Sequence, residues 1–182
     1  GIDGALTSTD GSVTGTAKDA VTTTAEVKAN KNVTLTSSDG AITTGAAVTA
    51  ETGDVKATAN GNVETNGAVQ AQSNVLLTSS AGAITTNKTV TAVTGKIEAT
   101  ADGDVTTNEK LSAVLGTITL TSDAGNVTVG KAGEAIAKDD VTLDAKAGSV
   151  GIDGALTSTD GSVTGTAKNA VTTTAEVKAN QN

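Results

Sequence analysis

Aliphatic residues that open short stretches of alternating apolar and polar residues recur every 20 to 23 positions along the chain. Two further series of aliphatic residues lie within the same interval, and turn-forming pairs such as Asp39-Gly40 and Asn60-Gly61 separate the series. Because side chains alternate between the two faces of a strand, each stretch predicts a short strand whose aliphatic residues point inward. Three such strands in each interval, with a turn after each, indicate one coil of a parallel β-helix.

The sequence therefore predicts an all-β fold, a parallel β-helix solenoid with three short strands in each coil of about 21 residues and about eight to nine coils. A helical solenoid would need longer segments with a 3.6-residue period, and triplets rich in threonine and β-branched residues disfavour helix. An array of antiparallel hairpins is a second alternative, but three strands in each repeat would reverse the direction of alternate repeats. We expect the glycines and asparagines at the corners to adopt positive φ.

The three series define the predicted core. The first series, which we predict to form a core stack, is Val13, Val33, Val55, Val75, Ile97, Ile118, Val141 and Val163. The second series is Val21, Ile42, Val63, Ile84, Val105, Val127, Val150 and Val171, and the third is Val27, Val48, Val69, Val90, Leu111, Ile136 and Leu156. Two residues after each member of the first series, small and large residues alternate through six coils, as in Gly15, Leu35 and Ala57, which predicts a narrow, filled interior.

A longer repeat is superimposed on the coils. Residues 1–32 and 151–182 agree at 30 of 32 positions, and the only changes are Asp19 to Asn169 and Lys31 to Gln181. We therefore predict one seven-coil module at residues 1–150 and the start of a near-identical module at residues 151–182. Since the coil pattern continues in phase, the two should form one continuous shaft without a linker.

Composition supports a thin core and excludes several classes of function. The chain contains no aromatic residue, Met, Cys, Pro, His or Arg, which argues against a core several layers deep. Disorder is disfavoured because only 18% of the residues are charged and proline is absent. Without His or Cys neither a familiar catalytic triad nor a zinc site can form, and the aromatic platforms of polysaccharide clefts are missing, so we predict no enzyme and no cofactor.

Charge and hydropathy exclude two classes of partner, nucleic acids and the membrane interior. The net charge of −8 and the scattered lysines argue against nucleic acid, whose phosphates need clustered cations. No apolar run approaches the roughly 18 residues that span a bilayer, so we expect a chain that does not cross membranes. Predicted partners are adjacent repeats of the same chain, with lateral self-association or other cell-surface molecules as further possibilities.

An outward file of threonines is the candidate interaction surface. Ice binding needs two flat threonine files, whereas Lys56, Leu76 and Glu98 interrupt the neighbouring file. We favour the interpretation that threonine suits an exposed strand and stacks on itself. The predicted ladder is Thr16, Thr36, Thr58, Thr78, Thr100, Thr121 and Thr166, with Asp144 at the remaining position.

Acidic turns are the only candidates for a metal. Asp102-Gly103-Asp104 and Asp139-Asp140 supply few charged oxygens from one loop, and the nonapeptide calcium repeat is absent, so turn formation explains them better than calcium. Sequons begin at Asn32, Asn87 and Asn126, as expected by accident in a chain rich in Asn and Thr.

Several segments resemble the coils of filamentous-haemagglutinin-type bacterial surface proteins, which are exported by two-partner secretion. They are GDVKATANGNV at 53–63, NVLLTS at 74–79 and GTITLTS at 116–122. The resemblance extends over essentially the whole chain and implies a right-handed β-helix shaft at the surface of a Gram-negative cell or in a released fibre. The near-exact duplication, the lack of aromatics and the lack of a visible secretion domain depart from that family.

Three functions follow as hypotheses. The first is the structural shaft of a giant tandem-repeat extracellular fibre or adhesin that extends from or links bacterial cells. The second is a repeated binding face for glycan, or less favourably ice, that acts by avidity. An enzyme is the third and the least supported.

Overall fold

The fold is a β-solenoid. A computed structural model describes residues 1–181, and within that range it contains 25 strands and no helix, hence no helix that could cross a membrane. The strands form three sheets in which neighbours come from successive coils and run parallel, as in β2 on β5 and β3 on β6. The predicted fold class is therefore confirmed. Asn182, the last residue of the predicted second module, lies outside the described residues.

Each sheet collects one strand from every coil. The first sheet consists of β2 (Val13–Ala17), β5 (Val33–Ser37), β8 (Val55–Ala59), β11 (Val75–Ser79), β14 (Ile97–Ala101), β17 (Ile118–Ser122), β20 (Val141–Ala145) and β23 (Val163–Ala167). The second sheet consists of β3 (Val21–Thr23), β6 (Ile42–Thr44), β9 (Val63–Thr65), β12 (Ile84–Thr86), β15 (Val105–Thr107), β18 (Val127–Val129), β21 (Val150–Ile152) and β24 (Val171–Thr173). The third sheet consists of β1 (Leu6–Ser8), β4 (Val27–Ala29), β7 (Val48–Ala50), β10 (Val69–Ala71), β13 (Val90–Ala92), β16 (Leu111–Ala113), β19 (Glu134–Ala137), β22 (Ala155–Ser158) and β25 (Val177–Ala179).

The core is a single apolar column inside the three sheets. The eight residues of the predicted core stack pair in register from Val13 to Val163, and all except Val163 in the last coil are buried. Large residues fill the room that small neighbours leave: a Cβ placed on Gly15 would lie only 3.0 Å from Leu35 Cδ2. Close packing is thus reached without aromatic side chains.

Val171 of the second predicted series, in the last coil, is 49% exposed. Among the positions that have a coil on both sides, one core prediction is wrong. Strand β19 places Ala135, not Ile136, opposite Leu111, and Ile136 points outward beside Ser112. Strand alternation gives only two choices, and the one that buries Ile136 would also bury the carboxylate of Glu134. Glu134 instead lies outside, where its Oε2 is 3.3 Å from Lys110 Nζ. Avoiding a buried charge outweighs the exposure of one isoleucine.

The corners do not use positive φ, which corrects our expectation for glycine and asparagine. No residue in the described range 1–181 has positive φ. Glycine is needed because successive coils approach closely: a Cβ on Gly40 would lie 1.1 Å from the Asp19 carbonyl oxygen. At Gly67 it would lie 2.1 Å from the carbonyl carbon of Ala46.

The boundary between the two sequence copies falls inside a strand. Residues 150 and 151 both belong to β21, which pairs with β18 on one side and with β24 on the other. The sheet therefore runs through the boundary without interruption.

Candidate functional site

The predicted threonine ladder lies on the outer face of the first sheet. Register pairs Thr16 with Thr36, continues through successive coils to Thr121, and then passes through Asp144 to Thr166. Thr16 and Thr166 are exposed, and the members between them are half-buried because the coils on either side cover part of each side chain. The structure thus brings all seven predicted threonines into one file.

The neighbouring file on the same face is mixed. Lys56, Leu76 and Glu98 follow one another in three successive coils, and Glu98 pairs with Lys96 of its own coil. These charged and branched side chains separate two threonine-rich regions, and Asp144 interrupts the ladder in the second of them. The first sheet therefore offers two short threonine patches rather than one continuous flat array.

A second outward threonine file, which the sequence reasoning missed, runs along the second sheet. It occupies the central residue of each three-residue strand, a position that alternation assigns to the outside once the flanking residues are known to be buried. Its members are Thr22, Thr43, Glu64, Thr85, Thr106, Thr128, Gly151 and Thr172.

A third file of threonines points into the solenoid. Five successive coils place a threonine at the last inward position of the second sheet, and the next two coils place Val129 and Ile152 there. The threonines are 1–2% exposed, and their Oγ1 atoms have no hydrogen-bond partner. The five buried threonines are Thr23, Thr44, Thr65, Thr86 and Thr107, and the exposed Thr173 holds the same position in the last coil.

A Ser-x-x-Gly turn recurs at strand ends. Ser79 Oγ accepts a hydrogen bond from the Gly82 N–H at 3.0 Å and donates to the Gly61 carbonyl of the previous coil at 2.8 Å. Ser122 makes the same two bonds with Gly125 and Gly103, both at 2.8 Å. The recurring Ser-x-x-Gly motif could have predicted this turn from the sequence. The serine side chains join successive coils.

Asparagine and aspartate side chains also link the coils. Asn87 Nδ2 donates to Asn66 Oδ1 at 2.7 Å, and Asn108 Nδ2 donates to Asn87 Oδ1 at 2.7 Å. At another corner Asp104 Oδ1 accepts from the backbone N–H of Asn126 at 2.7 Å. Such ladders satisfy polar groups at the corners, where the sheet hydrogen bonds end.

Two of the four acidic residues considered for calcium, Asp104 and Asp140, form side-chain hydrogen bonds at these corners. Asp104 forms the contact just described, and Asp140 Oδ1 accepts from the Ser162 N–H at 2.8 Å. Within residues 1–181 no three acidic, His or Cys side chains come together in an arrangement that could hold a metal ion.

Ion pairs on the surface mostly join neighbouring coils. Of the eight pairs among residues 1–181, six do so, including Lys28 with Glu51 at 2.7 Å and Lys146 with Asp123 at 2.7 Å. The hydrogen bond to each carboxylate, followed by its charge, raises the pKa of Lys28 and of Lys146. Because these pKa values are raised, the stabilisation is present below pH 10.5, the ordinary lysine value, and is lost only as the pH rises through the raised value. The exposed pairs contribute little individually.

Comparison of the chain with family models, with curated proteins and with solved structures finds no match.

Proposed function

We propose that the chain is a segment of the structural shaft of a tandem-repeat extracellular fibre or adhesin that extends from or links bacterial cells. The observation that carries the proposal is the in-phase duplication, whose boundary lies within β21. A module that restarts inside a continuous sheet adds length without a hinge, which suits a stiff spacer. Nearest-neighbour packing in solenoids lets such a shaft grow without a new core.

The surface supports a spacer more than an enzyme. Its outward files are mainly threonine with scattered charge, and the hydroxyl, amide and carboxylate groups at the corners bond to neighbouring coils. The extracellular location and the kinship with filamentous-haemagglutinin-type proteins are part of the proposal. They are supported by the sequence segments at 53–63, 74–79 and 116–122, which resemble coils of that family.

Electron micrographs of chains with two and four modules test the shaft. Seven coils at about 4.8 Å each predict that every module adds roughly 34 Å to a thin, unbranched rod. A control chain with a flexible Gly-Ser linker inserted between residues 150 and 151 should instead show a variable bend. Beaded or kinked particles from the chains without the linker would contradict the proposal.

A glycan-binding face is the second candidate, favoured by the threonine patches at the two ends of the first sheet. One patch spans three coils and has Asp144 at one of its six positions; its threonines are Thr119, Thr121, Thr142, Thr164 and Thr166. Glycan arrays and ice-recrystallisation assays on the 182-residue chain distinguish the candidates. The shaft proposal expects no affinity in either assay. Binding that a Thr142→Lys substitution abolishes, while Thr85→Lys on another sheet leaves it unchanged, would favour the second candidate.

A further inference from the structure

One corner of the solenoid carries apolar side chains on its outside. It lies between the third and first sheets, where Val114 and Leu115 follow strand β16 and are 50% and 52% exposed. Val93 in the preceding coil and Ile136 in the following coil are half-buried. We call these four residues the apolar corner. From residue 1 to residue 162 no other large apolar side chain is as exposed as Val114 and Leu115.

Backbone hydrogen bonds set the order of the coils at this corner. Ile97 N–H donates to the Thr117 carbonyl at 2.9 Å, so Lys96 lies one coil before the exposed pair. Asp139 N–H donates to the Gly116 carbonyl at 3.1 Å, so Asp139 lies one coil after the pair. The Lys96 and Asp139 side chains are both exposed, and they flank the apolar corner on opposite sides along the axis of the solenoid.

The charges on the two sides are complementary when two copies run in opposite directions. In the coil before the exposed pair, Lys96 forms an ion pair with Glu98. In the coil after it, Lys138 Nζ lies 3.9 Å from Asp160 Oδ2, and Asp139 forms no ion pair among residues 1–181. An antiparallel second copy places its following coil against the preceding coil of the first, so each lysine meets a carboxylate. In a parallel pair, Asp139 would lie beside Asp139 of the second copy and repel it.

We propose that the apolar corner binds a second copy of this chain side by side, with the two solenoids antiparallel. The twofold axis passes through the exposed pair, so that Leu115 of one copy packs on Val114 and Leu115 of the other. Lys96 of each copy then lies beside Asp139 of the second. An apolar centre with opposite charges on its two sides matches itself under a twofold rotation, and each contact occurs twice.

The small size of the apolar corner makes a single contact weak. Two side chains that are about half exposed, with two half-buried neighbours, cover far less than the roughly 800 Å² per partner that a stable interface buries. In the proposed shaft every module carries the corner, and a second shaft is a partner whose contacts recur at the same interval. Two antiparallel shafts therefore join many weak contacts, which act together by avidity. This multiplicity rests on the proposed function, whereas the pairing of single chains does not.

Cysteine cross-linking tests the contact in the 182-residue chain, which has no thiol of its own. Leu115→Cys places the introduced thiols of two copies next to each other at the twofold axis. Under a mild oxidant at high protein concentration, we expect covalent dimers to form about tenfold faster than with Ala132→Cys. Ala132 is exposed at the corner between the second and third sheets and provides the matched control. Equal rates for the two variants would overturn the proposal.

Charge reversal tests the antiparallel orientation in chains of four modules at physiological ionic strength. Lys96→Glu or Asp139→Lys in every module should weaken association by about tenfold or more, because each change brings like charges together. The double variant restores opposite charges and should associate like the parent. Lys88→Glu breaks the ion pair with Glu109 at another corner and should leave association unchanged. A double variant that associates as weakly as the single variants would overturn the proposal.

The number of modules separates this inference from the proposed shaft. Light scattering should show weak pairing of the 182-residue chain and pairing about a hundredfold stronger for chains of four modules, whose rods should lie in pairs in micrographs. Straight rods that stay single at all concentrations would overturn this inference and leave the shaft intact. Kinked particles whose Leu115→Cys variant still cross-links faster than its control would support the pairing and contradict the shaft.

Discussion

At the scale of single residues, six threonine hydroxyls within residues 1–181 are buried without a hydrogen-bond partner: that of Thr58 on the outer ladder and those of the five inward threonines. A buried hydroxyl without a hydrogen-bond partner costs about 1–3 kcal/mol relative to the hydrated state. The Oγ1 atoms of the five inward threonines are buried and unpartnered, while Val129 and Ile152 occupy the same file in the next two coils. The solenoid therefore accepts an apolar side chain at this position, and the threonines reduce its stability.

Thr86→Val should stabilise the chain by about 1 kcal/mol, because it removes an unpartnered hydroxyl and keeps the shape of the side chain. The shift in the urea midpoint, followed by circular dichroism, measures the effect. Thr85→Val, one residue away on the outward face, is the matched control and should change the midpoint little. A destabilised Thr86→Val protein would mean that the hydroxyl has a partner.

Two glycines differ in how closely the neighbouring coil approaches them. A Cβ on Gly67 would meet the backbone of Ala46 at 2.1 Å, whereas on Gly151 it would meet Thr128 at 3.9 Å. Gly67→Ala should destabilise the chain by about 1–3 kcal/mol, as overpacking does. Gly151→Ala should be neutral or stabilise by about 0.5 kcal/mol, because glycine weakens a strand. Equal thermal midpoints for both variants would contradict the steric explanation.

At the scale of strands and turns, the Ser-x-x-Gly turn ties the end of a strand to the coil before it. Ser79→Ala leaves the Gly82 N–H and the Gly61 carbonyl without this partner, so we expect a loss of about 1–3 kcal/mol. Ser80→Ala, at the exposed neighbouring position, is the control and should have little effect. Denaturant midpoints compare the two variants, and an unchanged Ser79→Ala midpoint would show that water replaces both bonds.

Strand positions were predictable where one residue pattern dominated. The first series has an aliphatic residue at every coil, and register follows from it because a one-residue slip would turn each core side chain outward. The prediction for the third series is wrong at Ile136. The turn around Gly130–Gly133 changes the spacing there, and the residues that follow are compatible with either alternation of inward and outward side chains. The electrostatic cost of burying Glu134 decides between them, and a count of aliphatic residues does not include it.

The candidate surface was predictable only in part. The first threonine file follows from the five-residue strands, whose alternation is long enough to read. The second file and the inward threonines lie in three-residue strands, where Thr-Thr doublets such as 43–44 and 85–86 look alike although one residue faces out and the other in. The Ser-x-x-Gly motif predicts a turn at these serines, but their bonds to the previous coil, like those of the Asn side chains, join residues about 20 positions apart and follow from no local motif.

At the scale of the whole molecule, stability should depend on the number of coils. Each coil packs on its neighbours alone, so the interfaces increase with length while the two ends remain two. Chains of one, two and three modules should unfold at rising temperatures, with increments that become smaller. Circular dichroism measures the midpoints. Modules separated by a flexible linker at the 150/151 boundary are the control and should unfold as single modules; identical midpoints with and without the linker would contradict nearest-neighbour coupling.

The position of the module boundary within β21 has a genetic consequence. Because residues 151–182 repeat residues 1–32, recombination between these copies that inserts or deletes 150 residues reproduces contacts already present in the chain. No compensating substitution is needed at the new boundary. In the proposed shaft, each such event would add or remove one module and so change the length by roughly 34 Å.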